Sequence, residues 1–147
     1  MQMLSYVSEA RIPANDRALA ARHLMHVAQK RNAELDISGV LFLRGDTFLQ
    51  TIEGPDYAVQ SLFRSIASDR KHKSVCVLVN EQIEQRRFSG WSMECYHESN
   101  YLPDYIGTLQ QIEKRFESEA RFTALNVYSY FEELLIALDP YRLTKAA

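Results

Sequence analysis

Two short β-rich segments around a turn sequence constrain the fold of this chain more than any other feature. Residues 37–43 and 48–53 are rich in β-branched, aromatic and large aliphatic side chains. Residues 44–47, which include Gly45 and Asp46, lie between them. A Gly-Asp pair between two such segments is typical of a β-hairpin. We therefore predict two antiparallel strands, around which the other elements must be arranged.

Apolar periodicity and turn residues predict the elements that flank this hairpin. They are a strand at 3–7, a helix capped by Asn15 or Asp16 and ending near Asn32, a helix opened by Pro55, and strands at 75–79 and 91–96. The order β-α-β-β-α-β-β resembles the ferredoxin-like split βαβ pattern. We therefore predict an α+β fold, with a five-stranded mixed sheet and two helices on one face.

The pattern changes after a core formed by residues 1–97. Residues 98–147 predict two further helices, one beginning at Pro103 and one over the amphipathic residues 124–138. The first two helices cover one face of the sheet, so the other face needs a cover. The C-terminal pair could form that cover, or it could form a surface for dimerisation or output.

Composition excludes several classes of protein. The net charge of −2 gives no broad field that attracts nucleic acid or an anionic membrane. The sequence shows neither a signal peptide nor an apolar stretch long enough to span a membrane. Cys76 and Cys95 form no C-x-x-C pair, and we expect two buried thiols in a reducing compartment. These features predict a cytoplasmic protein.

Common catalytic and metal-binding patterns are also missing. There is no phosphate-binding loop of the Walker type, no G-x-G-x-x-G and no nucleophile elbow. His23 and His26 are three residues apart, but without further ligands at a recognisable spacing they predict no metal site. Glu53 and Asp56 fall at a strand-to-helix corner, where acidic residues are common beside a helix N-terminus.

Gln50 is the residue that breaks the apolar pattern of the strands. Phe48, Gln50 and Ile52 share one face by the period of two, so Gln50 is a polar side chain among apolar neighbours. A buried glutamine must satisfy several hydrogen-bonding groups, and Tyr6 on the first strand is a natural partner. Periodicity alone favours a structural Tyr–Gln pair within the core.

Five strings occur together in one order and spacing. They are Leu4-Ser5-Tyr6-Val7-Ser8; Asn32 with Asp36-Ile37-Ser38-Gly39-Val40-Leu41; Phe48-Leu49-Gln50-Thr51-Ile52-Glu53-Gly54; Asp69-Arg70-Lys71-His72; and Phe88-Ser89-Gly90-Trp91-Ser92-Met93. Over about residues 1–97 the chain resembles the BLUF domains, which sense blue light using a flavin. No single string is decisive, but their combination is highly specific.

The resemblance implies a role for each residue around a non-covalent flavin. Tyr6 corresponds to the photoactive tyrosine of the family and Gln50 to its essential glutamine. Asn32 corresponds to the asparagine that holds the carbonyl and ring nitrogen of the flavin. Leu24 and Ile37 would flank the ring, which stands between the first two helices.

The resemblance is weaker around the phosphate of the cofactor. The family usually has an Arg-His pair after an Asp, whereas this chain has Lys71 and His72 after Asp69. Lysine keeps the charge but loses the bidentate geometry of arginine. Arg31 would add a contact. The cofactor is therefore expected to be FAD or FMN, with the choice between them open.

The resemblance also implies a mechanism. Tyr6 gives an electron and a proton to the excited flavin, and Gln50 then rearranges its hydrogen bonds, which shifts the absorption to the red. Trp91 and Met93, predicted to share one face of the last strand, would relay this change to the C-terminal helices. Because no enzyme domain follows, we expect a separate downstream protein partner and a homo-oligomer.

Two other functions fit a ferredoxin-like fold. An acylphosphatase-like hydrolase would need an arginine in a phosphate-binding loop near the first strand, and Arg11 is present without a glycine-rich loop. An RNA-binding module of the RRM type would need exposed aromatic side chains and a basic face. The net charge of −2 and the buried position of Gln50 argue against that module.

Overall fold

A single mixed sheet forms the centre of the protein. The computed structural model describes residues 1–97, 106–118 and 121–138. Its strands, in the sheet order β4-β1-β3-β2-β5, are β1 (Gln2–Ala10), β2 (Ser38–Arg44), β3 (Thr47–Gly54), β4 (His72–Gln82) and β5 (Glu94–His97). The described helices are α1 (Arg17–Glu34), α2 (Asp56–Ser68), α3 (Ile106–Glu117) and α4 (Ala124–Leu138). The predicted α+β fold with a βαββαββ core is confirmed.

The hairpin forms where the sequence predicts it. Strands β2 and β3 are antiparallel, and the pair Arg44–Thr47 encloses the two-residue turn Gly45-Asp46. Gly45 has φ 55°, which glycine adopts without the steric cost that a side chain adds. β5 lies beside β2 in the parallel direction, whereas the other pairs are antiparallel, so the sheet is mixed as predicted.

The two faces of the sheet carry separate apolar cores. We call the face covered by α1 and α2 face A, and the face covered by α3 and α4 face B. Alternation along the strands divides the side chains between them. Leu4, Tyr6, Leu41, Phe48 and Ile52 point to face A. Met3, Val40, Phe42, Leu49 and Val79 point to face B.

The C-terminal helices pack on face B. Val127, Phe131 and Leu134 of α4 are buried against the sheet, together with Ile112 of α3. A bidentate contact from Arg44 Nη1 to the Glu113 carboxylate, at 2.9 and 3.0 Å, ties α3 to the end of the hairpin. Pro103, the predicted start of this helical pair, lies outside the described residues. Within the described part of the chain, none of the helices combines the length and apolar character needed to span a membrane.

The segment 88–93 differs from the prediction. We call it the crossover segment, because it passes from face B to face A before β5 begins at Glu94. Trp91 N donates to the Phe88 carbonyl at 3.0 Å, and Gly39 N donates to the Trp91 carbonyl at 2.9 Å. This turn replaces an extended strand, so the period of two does not apply. The prediction that Trp91 and Met93 share one face is therefore wrong.

Cys76 was predicted to be buried, and it is exposed. It lies in β4, which forms one edge of the sheet, next to Val77, which is also exposed. A residue on an edge strand lacks a neighbouring strand on one side, so an apolar side chain there is not necessarily covered. The side chain of Cys95 lies outside the described part of the structure.

We predict that Gly39→Ala destabilises the fold. A Cβ at this position would lie well inside van der Waals contact with the Thr51 carbonyl oxygen of the neighbouring strand, and backbone cannot move aside easily. The expected loss in the free energy of unfolding is about 2 kcal/mol. Urea denaturation measures it. Gly107→Ala in α3, where a Cβ meets open space, is the matched control and is expected to be neutral or stabilising. Equal stability of the two variants would contradict the prediction.

Candidate functional site

A buried phenol and a buried amide lie side by side at the centre of face A. Tyr6 on β1 and Gln50 on β3 are direct partners in the antiparallel register. They are only 1% and 5% exposed, and the Tyr6 hydroxyl donates a hydrogen bond to Gln50 Oε1. Residues directly opposite each other on adjacent strands point to the same face, so pairing of β1 with β3 is enough to bring these two side chains together.

The other end of the Gln50 amide faces the crossover segment. Gln50 Nε2 donates to the thioether sulfur of Met93 at 3.5 Å. A thioether is a weak acceptor, and an amide nitrogen carries two N–H groups. The amide therefore keeps donor capacity that a stronger acceptor can use.

The phenol of Tyr6 is held in its neutral form. Burial raises the pKa of Tyr6 well above its ordinary value of 10.0, while the charges of Arg31 and Asp69 act in opposite directions and have smaller effects. The ring lies 5.8 Å from the Phe63 ring of α2 and 6.0 Å from the His72 ring, between centroids. Tyr6 is therefore a hydrogen-bond donor at any physiological pH.

Asn32 and Gln29 connect α1 to the crossover segment. Asn32 is fully buried near the end of α1, and its Nδ2 donates to the Ser92 carbonyl at 2.9 Å. Its Oδ1 receives only a 3.5 Å contact from Arg31 Nε, at the limit of hydrogen bonding. Gln29, one turn earlier, donates to the Met93 carbonyl at 2.9 Å. Gln29 is not among the predicted site residues, although its spacing of three from Asn32 places both amides on one side of the helix.

The first two helices cover different parts of face A. α1 contacts β2 and β5, whereas α2 contacts β1, β3 and β4. The Tyr6–Gln50 pair lies in the central strands between them. Leu24 of α1 and Phe63 of α2 are only partly buried, and Ile37 is buried just before β2. Apolar side chains therefore flank the polar pair.

The turn before β4 separates the predicted phosphate-binding residues. Asp69 Oδ1 accepts a hydrogen bond from the Lys71 backbone N–H at 2.9 Å, and the Lys71 side chain is exposed. His72 turns inwards, with Nδ1 2.8 Å from Ser8 Oγ and its ring 4.7 Å from the Phe48 ring. Burial lowers the pKa of His72, and this effect outweighs the opposing charge of Asp69.

Several of the predicted site residues lie together on face A. Tyr6, Ile37, Met93 and, more loosely, Leu24 belong to the core of face A, and Gln50 contacts two of them. Trp91 does not join this group, because its ring stacks on Phe88 on face B, 5.7 Å between centroids.

The residues on face A fit a flavin. An isoalloxazine ring has apolar faces and a polar edge of donors and acceptors. The partly buried apolar side chains of Leu24 and Phe63 suit the faces of the ring. The weakly used Gln50 Nε2 and Asn32 Oδ1 supply a donor and an acceptor for its edge.

A ferredoxin-like sheet with a buried phenol–amide pair beneath two helices is compatible with a flavin-binding domain. Comparison with known families agrees, because the family described as "Sensors of blue-light using FAD" matches residues 1–94. The chain belongs to this family, the BLUF family. Residues 1–94 are therefore a blue-light-sensing domain whose cofactor is FAD, bound non-covalently.

Individual relatives support the same family. Photoactivated adenylate cyclase subunit beta of Euglena longa is 31% identical over 130 residues, which is 86% of this chain and 15% of that protein. This chain therefore matches only a small part of that relative. The dark-state structure of the BLUF protein BlrB is 29% identical, with a TM-score of 0.70 over 89% of this chain and 96% of that one. The photo-activated state of BlsA has a TM-score of 0.75 over 99% and 100% of the two chains, and at 24% identity it shows the shared fold.

We predict that His72 makes stability fall as the pH is lowered from about 7 to about 5. The folded protein lowers the pKa of His72 below 6.5, so the unfolded chain binds the proton more readily in this range. Stability is therefore highest above the ordinary pKa and falls through this range. His72→Gln should reduce the slope of the unfolding free energy against pH. His23→Gln, at an exposed position on α1, is the control. Identical slopes for wild type and His72→Gln would refute this role.

Proposed function

We propose that Tyr6 and Gln50 are the photoactive pair of this sensor. Bound FAD supplies an oxidant that blue light activates. Tyr6 is the electron donor, and its proton can leave along the hydrogen bond that its hydroxyl already makes to Gln50 Oε1. Loss of an electron makes a phenol far more acidic, so electron and proton loss are coupled even though burial keeps the ground-state phenol neutral. This cross-strand hydrogen bond is the observation that carries the proposal.

Gln50 then acts as the switch. Its two ends have nearly the same shape but opposite hydrogen-bonding character, so rotation or tautomerisation exchanges donor for acceptor without repacking. The bond that Nε2 makes to Met93 Sδ is weak, so the exchange gives up little on that side of the amide. After the exchange Gln50 would present a donor to the polar edge of a bound flavin, and such a hydrogen bond would shift the absorption to the red.

The remaining predicted residues would hold the cofactor. We propose Asn32 for the polar edge of the ring and Leu24 and Ile37 for its faces. Arg31 and Lys71 are exposed cations, and we propose that they contact the phosphate groups. Asp69 and His72 would shape this end of the site, Asp69 through its bond to the Lys71 N–H and His72 through its contact with Ser8.

We predict that Arg31→Ala and Lys71→Ala each weaken FAD binding about fivefold, because an exposed charge contact to phosphate contributes modestly. Titration followed by flavin fluorescence measures the affinity. FMN should show a similar loss, and riboflavin, which lacks phosphate, should show none. Lys30→Ala, an exposed cation next to Arg31, is the control. An equal loss with riboflavin would place these side chains elsewhere than at the phosphate.

We predict that Tyr6→Phe and Gln50→Leu each abolish the light-induced red shift. The first variant removes the phenol hydroxyl, and the second removes the amide, while both keep similar volume. The measurement is a light-minus-dark absorption spectrum of the flavin-loaded protein. Tyr130→Phe, a buried tyrosine of α4 on face B, is the control and should keep the shift. A normal red shift in either of the first two variants would refute the assigned roles.

We further propose that residues 1–97 form the sensor and residues 98–147 its output part. Met93 contacts the switch on face A and Trp91 stacks on Phe88 on face B, which supports a relay through both.

We propose that the output reaches a separate protein, with self-association as a further part of the response. We also propose that the chain acts in the cytoplasm without enzymatic activity of its own. The Euglena longa relative, of which the match covers 15%, is named a photoactivated adenylate cyclase subunit.

A further inference from the structure

Glu53 is a fully buried acidic residue that the sensor chemistry does not use. It lies on β3, three residues beyond Gln50, and points to face B. Asp56, its predicted neighbour at the strand-to-helix corner, instead binds Gln82 Nε2 at the surface, at 3.0 Å. A carboxylate buried without partners would be costly, so the environment of Glu53 must satisfy its oxygens.

Four donors from three different elements meet at the Glu53 carboxylate. Oε1 accepts from Ser38 Oγ of β2 at 2.8 Å and from the Phe88 N–H at 2.7 Å. Oε2 accepts from the Arg87 N–H at 3.0 Å and from the Tyr128 hydroxyl of α4 at 2.6 Å. Each oxygen therefore has two donors, which fills the usual capacity of a carboxylate.

The crossover segment begins at this carboxylate. Phe88, whose N–H binds Glu53, stacks on Trp91 with a centroid distance of 5.7 Å and an interplanar angle of 15°. Two residues further on, Met93 contacts the Gln50 amide on face A. One short segment thus has the switch at one end and Glu53 at the other.

Helix α4 is attached to the same point. Besides its hydroxyl bond to Glu53, the Tyr128 ring lies 5.5 Å from the Phe88 ring and 5.4 Å from the Arg87 guanidinium carbon. Arg87 also pairs with Glu132 of α4 at 3.0 Å. Burial, together with the bond to Glu53, raises the pKa of Tyr128, so its hydroxyl remains a donor.

We propose that Glu53 is a positioning residue that couples the crossover segment to α4. Ring packing tolerates small shifts, whereas hydrogen bonds to a buried carboxylate are directional. A displacement of the Phe88 N–H therefore changes how Glu53 accepts the Tyr128 hydroxyl, and the change reaches α4. The inference rests on the proposed function, because the displacement starts with the Gln50–Met93 contact.

Tyr128→Phe tests the coupling by removing one hydroxyl and keeping the ring. The first measurement is hydrogen–deuterium exchange of residues 124–138, in the dark and under blue light, with FAD bound. In the wild type the exchange rate should change about fivefold with light, which is the size expected from weakening one hydrogen bond. In Tyr128→Phe the light and dark rates should become equal. Tyr130→Phe lies in the same helix as Tyr128, and its ring stacks on Phe116 of α3, so this variant should keep the wild-type ratio.

A second measurement observes the Glu53 carboxylate directly. The light-minus-dark infrared spectrum of wild type should contain a shifted carboxylate band, which disappears in Glu53→Gln and is altered in Tyr128→Phe. The absorption red shift, which reports the Tyr6–Gln50 switch, should persist in Tyr128→Phe. If the wild type shows no red shift, the proposed function is refuted. This result is distinct from failure of the coupling.

Either of two outcomes would overturn the coupling. The first is a light-to-dark exchange ratio in Tyr128→Phe equal to that of wild type. The second is a wild type with a normal red shift but no light-induced change in α4 or in the carboxylate band.

Discussion

The light response that we propose depends on the hydrogen bond from Tyr6 to Gln50. This bond exists because β1 and β3 are paired in a register that sets these residues opposite each other on one face. A slip of one residue in either strand would turn one of them to the opposite face. The buried sheet thus holds the two side chains in contact, so the switch that we propose needs no separate ordering step.

The two faces of the sheet carry separate cores, and the crossover segment has residues in both. On face A, the amides of Gln29 and Asn32 hold the carbonyls of Met93 and Ser92 close to the switch. On face B, the start of the segment is bound to the Glu53 carboxylate. In the coupling that we propose, a rearrangement on face A reaches face B along this segment and not through the sheet, whose packed strands resist deformation.

Much of the fold follows from local pattern. The hairpin, the order of the elements and the burial of Gln50 could be read from turn residues and from alternation, because these report local geometry. Trp91 shows the limit of this reasoning. Alternation assigned it to the same face as Met93, but hydrogen bonds from Gly39 and within the turn break the strand there, and a period of two has no meaning outside an extended strand.

The sequence by itself determined the alternation of side chains along the central strands and that one residue of the buried alternation, Gln50, is polar. Only the tertiary structure decided the partners. Tyr6 and Gln50 are 44 residues apart, and Glu53 meets Tyr128 across 75 residues. Periodicity assigns a side chain to a face, but strand pairing and helix docking decide which distant group meets it there. The roles of Gln29 and Glu53 therefore appear only once the chain is folded.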